Sequence, residues 1–112
     1  MSCIFCMIIN GDIPSKKVYE DELCYAFLDI NPQAKVHCLV VPKEHIASVD
    51  EINEGNCGTV AHIMSIIPKI AKELGIKNGY RVVSNVGEDG CQSVKHLHFH
   101  ILGGEKLSEN MA

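Results

Sequence analysis

Positive charge is what this sequence is short of. Ten lysines and arginines stand against fourteen aspartates and glutamates, a net charge of -4 with the histidines neutral. That balance excludes nonspecific binding of nucleic acid or of an anionic membrane through a basic surface. A small nucleotide is not excluded, because it needs only a local site. Also missing is any apolar run near the roughly 18–20 residues of a spanning helix. No secretory signal opens the chain, so a cytoplasmic protein is the expectation. Neither an internal repeat nor a low-complexity linker divides it. Its 112 residues and 12.3 kDa therefore read as one domain over residues 1–112. A hydrophobic share of 46% is enough for a real core.

Six cysteines in so short a chain raise the question of a disulfide framework. Without a secretory context the expectation shifts to reduced thiols and metal binding. Only Cys3 and Cys6 have a ligand-like spacing. By themselves they fit either a zinc site, which needs two more ligands, or a redox dithiol, and no thioredoxin-like pattern supports the second. Cys24 and Cys38 read as buried thiols.

Residues 17–20 and 23–28 are strand-like runs around Asp21-Glu22, which reads as a tight hairpin. Phe27-Leu28-Asp29-Ile30 then runs into Asn31-Pro32, which breaks regular structure. Asp29 can cap that turn or accept both hydroxyls of a ribose, and the residues alone favour the cap. Residues 36–41 form a third strand, stopped by Pro42 and carrying His37. A long helix is expected over about residues 56–74. Val60, Ile63, Met64, Ile67, Ala71 and Leu74 give its apolar face, Gly75 its C-terminal cap, and Pro68 a kink or shift. His62 on its flank reads as a surface residue without a role. Residues 80–85 form a fourth run of β-formers, and Gly87 to Gly90 a flexible loop.

That loop leads to three histidines at alternate positions, His96, His98 and His100, separated by Leu97 and Phe99 and followed by Ile101. In a strand the three imidazoles share one face about 6.5–7 Å apart, and the apolar partners line the other. On a helix His98 would lie nearly opposite the other two. The reading is a strand over residues 94–102, stopped at Gly103-Gly104. Hairpin-close strands make an antiparallel sheet the natural arrangement, with one long and one short N-terminal helix.

The stretch from Val94 to Leu102, with Gly87, Gln92 and Ser93 before it, Gly103-Gly104 after it and Asp29-Ile30 upstream, resembles the motif of the histidine triad family of nucleotide hydrolases and transferases. It is most similar to the histidine triad nucleotide-binding branch, bacterial zinc-containing type, and the similarity runs from Cys3 to Gly104. The resemblance implies an α+β fold with about five antiparallel strands, assembled as a homodimer. It implies a purine nucleotide ligand cleaved at its α-phosphate, with His98 as nucleophile. His100 would stabilise charge on the phosphoryl oxygens, and Ser93 and Gln92 would donate to phosphate or leaving group. His37 would fix the ring of His98 from behind, and Asn85 would face the phosphate or leaving group. Asp29 would hold the ribose, reversing the preference drawn from its turn. Phe5, Ile8, Ile13, Phe27 and Ile30 would surround the base. The leading activity is that of a nucleoside phosphoramidase. Hydrolysis of dinucleoside polyphosphates or adenylyl sulfate is the alternative within the class, and a nucleotide-binding adaptor with incidental hydrolysis the alternative outside it.

Some bacterial members resembling this chain hold structural zinc through positions that here are Cys3, Cys6, His45 and His96. Two departures concern the leaving-group side. Cys91 stands where a glycine is common, and residues 105–112 lack the Trp-Pro-Pro ending of many relatives.

Overall fold

A computed structural model describes residues 3–111. The elements follow in the order α1 (Ile4–Ile9), β1 (Lys17–Glu20), β2 (Cys24–Leu28), β3 (Val36–Pro42), a 3-10 turn (Val49–Glu51), α2 (Cys57–Glu73), β4 (Tyr80–Val83) and β5 (Phe99–Gly103). The five strands form one sheet in the order β1-β2-β3-β5-β4, every neighbour antiparallel. The α+β architecture expected from the sequence is the one observed.

The last strand in sequence enters between β3 and β4, and this places the histidine segment in the middle of the sheet. Leu39 pairs with His100 and His37 with Leu102, so His37 and His100 lie on one face as diagonal neighbours. On that face Tyr25, Phe27, Leu39 and Val41 are buried with Phe5 and Ile8 of α1. On the opposite face Cys24, Ala26, Cys38, Val40, Leu97, Phe99 and Ile101 pack with Ile63, Ile66, Ile67 and Ile70 of α2. Strands β2 and β3 are buried on both sides, and β5 alternates at period two.

Helix α2 lies within the expected bounds and passes through Pro68 as one element. Its inward stripe is centred on Ile63, Ile66, Ile67 and Ile70, while Met64 turns out to solvent. The helix ends in a Schellman motif: Ile76 N–H donates to the Ala71 carbonyl and Gly75 N–H to that of Lys72. Gly75 takes the left-handed φ of +78° that the motif requires.

Two expectations are corrected. The strand proposed over residues 94–102 is laddered only from Phe99, because β4 ends at Val83 and the end of β3 is a proline. On one side Pro42 has no N–H to offer, and its carbonyl instead accepts from His96 Nε2–H at 2.8 Å. On the other, the Ser84 hydroxyl donates to the His98 carbonyl at 2.8 Å in place of a backbone group. Leu97 N–H reaches the Ile46 carbonyl at 2.6 Å, so the approach to β5 is anchored on the loop after β3. His62 is not idle either. Its Nε2 pairs with Asp21 Oδ2 at 2.6 Å, joining α2 to the β1–β2 turn.

Candidate functional site

All three triad histidines keep to the face of the sheet that α1 covers, although only His100 lies in a laddered strand. His96 is fully buried and His98 is 4% exposed. The Phe5 ring from α1 stands edge-on to both, with centroids 6.0 Å from His96 and 5.1 Å from His98. The rings of His98 and His100 are 5.0 Å apart.

The backbone decides which nitrogen of His98 carries the proton. A carbonyl oxygen only accepts, so Nδ1–H of His98 donates to the His96 carbonyl at 2.7 Å. In the neutral ring the lone pair then sits on Nε2. Among the described residues that nitrogen has no protein partner, and no unpartnered side-chain polar atom is sealed from solvent. It is therefore open to a ligand, the orientation a nucleophile needs.

His37 does something other than the sequence suggested. It was expected to hold His98, but its Nε2 lies 2.8 Å from His100 Nδ1. The reason is the register, since β3 and β5 set these two side chains diagonally opposite. The Gln33 N–H donates to His37 Nδ1 at 3.0 Å, which makes Nδ1 the acceptor and Nε2 the protonated nitrogen. His37 Nε2–H then donates to His100 Nδ1, leaving His100 with Nε2–H as a free donor beside the His98 lone pair. Burial holds His37 below the usual histidine range, against the pull of Asp29. Burial, with His98 and His37 adding to it, brings His100 down to about 4. At neutral pH this pair is uncharged.

Asp29 follows β2 at the rim shared by two hollows of about 550 and 240 Å³. Its Oδ1 accepts from Asn31 N–H at 2.8 Å, the turn cap the residues suggested, while Oδ2 lies 3.5 Å from His37 Nε2. Phe5, Ile8 and Phe27 are buried together, Phe5 and Phe27 edge to face at 5.6 Å, with Ile13 packed against them. Ile30 stands apart from that cluster and is 91% exposed.

The loop before β5 is tied by its own side chains. Gln92 accepts from Gly87 N–H and donates to the Ala47 and Val94 carbonyls, so its amide braces the loop. Asn85 Nδ2–H donates to the Gly90 carbonyl at 2.7 Å. Ser93 is exposed. Cys91 has φ of +59°, the left-handed conformation that a glycine at this place would adopt without strain. Sequence reasoning missed Ser84 and Gln33, which hold His98 and His37. The Gln33 contact comes from its main chain, for which residue identity gives no signal.

At the far end of the face, Cys3, Cys6, His45 and His96 place their donor atoms within 4.8 Å of one another. Cys3 Sγ lies 3.4 Å and Cys6 Sγ 3.5 Å from His96 Nδ1, and Cys6 Sγ lies 3.4 Å from His45 Nδ1. A tetrahedral ion bound at about 2.3 Å to sulfur and 2.0–2.1 Å to nitrogen holds those atoms about 3.5 Å apart. His96 Nε2–H on the Pro42 carbonyl leaves Nδ1 unprotonated toward the sulfurs, the outer support a ligating histidine ordinarily has. The residues fit a metal ion. All six cysteines are free thiols, and Cys24 and Cys38 are buried.

Fold and site together define a small α+β protein that gathers a row of histidines on one sheet face, between an apolar cluster and a Cys/His set whose geometry fits a metal ion. The HIT domain family model matches residues 10–107, and the chain belongs to that family. It is 54% identical to a histidine triad protein from Clostridium difficile, covering 98% of this chain and 96% of that one, with a TM-score of 0.94. A HIT family hydrolase from Clostridium thermocellum is 46% identical, with 99% and 97% covered and a TM-score of 0.96. A 14 kDa zinc-binding protein of Zea mays is 43% identical over 94% of this chain and 84% of its own length. The relatives support the hydrolase class. Among the described residues no helix is long and apolar enough to cross a membrane.

Proposed function

We propose that the protein is a cytoplasmic hydrolase of purine nucleoside 5′-monophosphate derivatives, phosphoramidates foremost, acting through a nucleotidyl-histidine at His98. The observation that carries this reading is the bond from His98 Nδ1–H to the His96 carbonyl, which leaves Nε2 as an open lone pair. In the first step a bond forms between Nε2 and the α-phosphorus, and the phosphorus–nitrogen bond to the leaving amine breaks. The amine leaves with that electron pair and takes up a proton from solvent, which the water of the second step returns. Water then attacks phosphorus, breaks the bond to His98 and frees the nucleotide, so one displacement becomes two easier ones.

His100 Nε2–H points its donor at the oxygens on which charge builds, and Ser93 supplies a hydroxyl on the leaving-group side. Asp29 accepts the ribose hydroxyls. The apolar cluster of Phe5, Ile8, Ile13 and Phe27, with Ile30 at its margin, holds the purine by area and ring contact. Gln92 and Asn85 shape the loop that approaches the phosphate.

Zinc is the ion we assign to Cys3, Cys6, His45 and His96. With four protein ligands it supplies structure rather than chemistry, tying α1 to the base of the histidine segment. The edge strand β4 has one free side, and Tyr80, Val82 and Met64 expose apolar surface along it and α2. A second copy of the chain would cover that edge as a two-fold dimer. Sedimentation at micromolar concentration is expected to show twice the chain mass, and a 12.3 kDa species alone would refute it.

The reaction is tested by mixing the protein with adenosine phosphoramidate and recording intact mass after an acid-free quench. A transient adduct of one adenylyl group is expected, absent from His98→Ala. An adduct that persists unchanged in His98→Ala, or hydrolysis without any adduct, refutes the assignment. Native mass on the same sample reports metal and subunit number.

A further inference from the structure

The bonds around His37 leave its pair with His100 no convenient place for another proton. In the neutral pair one proton is on His37 Nε2 and one on His100 Nε2. The two remaining nitrogens both accept hydrogen bonds: His37 Nδ1 from the Gln33 N–H at 3.0 Å, and His100 Nδ1 from His37 Nε2–H at 2.8 Å. Adding a proton at either nitrogen sets two donors against each other and breaks one of these bonds. Asp29 Oδ2, 3.5 Å from His37 Nε2, would otherwise favour a charged pair, because an adjacent carboxylate stabilises imidazolium. The main-chain donor at residue 33 opposes it.

We propose that the backbone N–H of Gln33 is a positioning group for the chemical step: by occupying His37 Nδ1 it fixes the tautomers of His37 and His100 in series. His100 thereby meets the phosphoryl group as a neutral Nε2–H donor rather than as an imidazolium. This rests on the hydrolase reading for its catalytic meaning, but not for the tautomers themselves. Burial of the pair acts in the same direction. The titratable or charged groups facing the pair are Asp29 from the β2–β3 connection and His98 from the approach to β5. The Gln33 side chain takes no part, since its amide donates only to the exposed Asn31 carbonyl.

The separation of main chain from side chain gives the test. Gln33→Ala keeps the N–H and Gln33→Pro removes it. In the free wild-type protein, nitrogen NMR of the imidazoles is expected to show both rings protonated on Nε2, with both titrating below the ordinary histidine value of 6.5. Gln33→Ala should behave alike. In Gln33→Pro, His37 Nδ1 is released to accept a proton, and the pair should titrate at a clearly higher pH than in the wild type. The pH profile of kcat with adenosine phosphoramidate should then gain that ionisation, with KM changed less than twofold.

A Gln33→Pro pair that titrates like the wild type overturns the proposal. So does a wild-type His37 protonated on Nδ1, and this measurement decides the matter even if the proline variant fails to fold. Correct tautomers in a protein that forms no His98 adduct would instead refute the hydrolase reading and leave the tautomer assignment standing.

Discussion

At the scale of single residues, the structure gives physical content to the departures from the family pattern. Cys91 is the one non-glycine among the described residues with a positive φ, +59°. A side chain in that conformation costs about 1–2 kcal/mol, which glycine avoids, although glycine also loses more freedom on folding. Cys91→Gly is therefore expected to raise stability by about 0.5–1 kcal/mol in urea unfolding, and Cys91→Val to lower it. A destabilised glycine variant would show that the thiol makes a contact worth more than the strain. Its neighbour Gly90 is constrained differently, since a Cβ there would collide with the Val86 backbone. Gly90→Ala should distort the loop that Asn85 and Gln92 brace and reduce adduct formation on His98 by at least about tenfold, the usual scale for a misplaced catalytic group.

Elements show where the sequence was readable. Alternation at Leu97, Phe99 and Ile101 correctly put the imidazoles on one face, because a period of two survives even where the ladder does not. The start of the ladder was not readable, since it depends on Pro42 and Ser84, residues from two neighbours whose order in the sheet the chain does not announce. The partnership of His37 with His100 was hidden for the same reason: it is a property of the register between β3 and β5. The Cys/His set was legible only through resemblance, because Cys3 and Cys6 alone fit either of two chemistries. Helix α1 has six residues and is too short to persist by its own hydrogen bonds. Phe5 and Ile8 hold it on the sheet, and Cys3 and Cys6 place it against His45 and His96. Chelation, or Cys6→Ser, should then lower Tm and release amide protection first in residues 3–10 while α2 stays protected. A loss of about 1 kcal/mol corresponds to roughly 4 °C in a domain of this size. Unchanged exchange in α1 after metal removal would mean that packing alone fixes the helix.

For the whole molecule, buried neutral histidines set the response to acid. His37 and His100 both lie below the ordinary histidine value of 6.5 in the folded protein, His100 at about 4. Between pH 6.5 and 4 the unfolded chain thus binds more protons than the native one, and stability rises with pH through this window. Acidification pulls protein toward the unfolded state. Asp21 acts in the same direction further down. Burial alone would raise its carboxyl, but donation from His62, the Leu23 N–H, Tyr19 and the Cys24 N–H outweighs it and holds the group well below 3.8. The stability from that cluster is present above 3.8 and is lost as pH falls below it. Metal release would add a further acid-dependent loss, so the measurement is made with a chelator present. Thermal unfolding should then give a Tm that is nearly level above about pH 7.5 and falls steadily from 6.5 toward 4, because the unfolded chain takes up protons that the buried native pair does not. His37→Asn, which removes one member of the pair, should flatten part of that slope at the cost of a lower plateau. A Tm independent of pH between 7 and 5 in the metal-free protein would mean that the folded pair takes up protons just as the unfolded chain does, and the neutral donor at His100 would have to be abandoned with it.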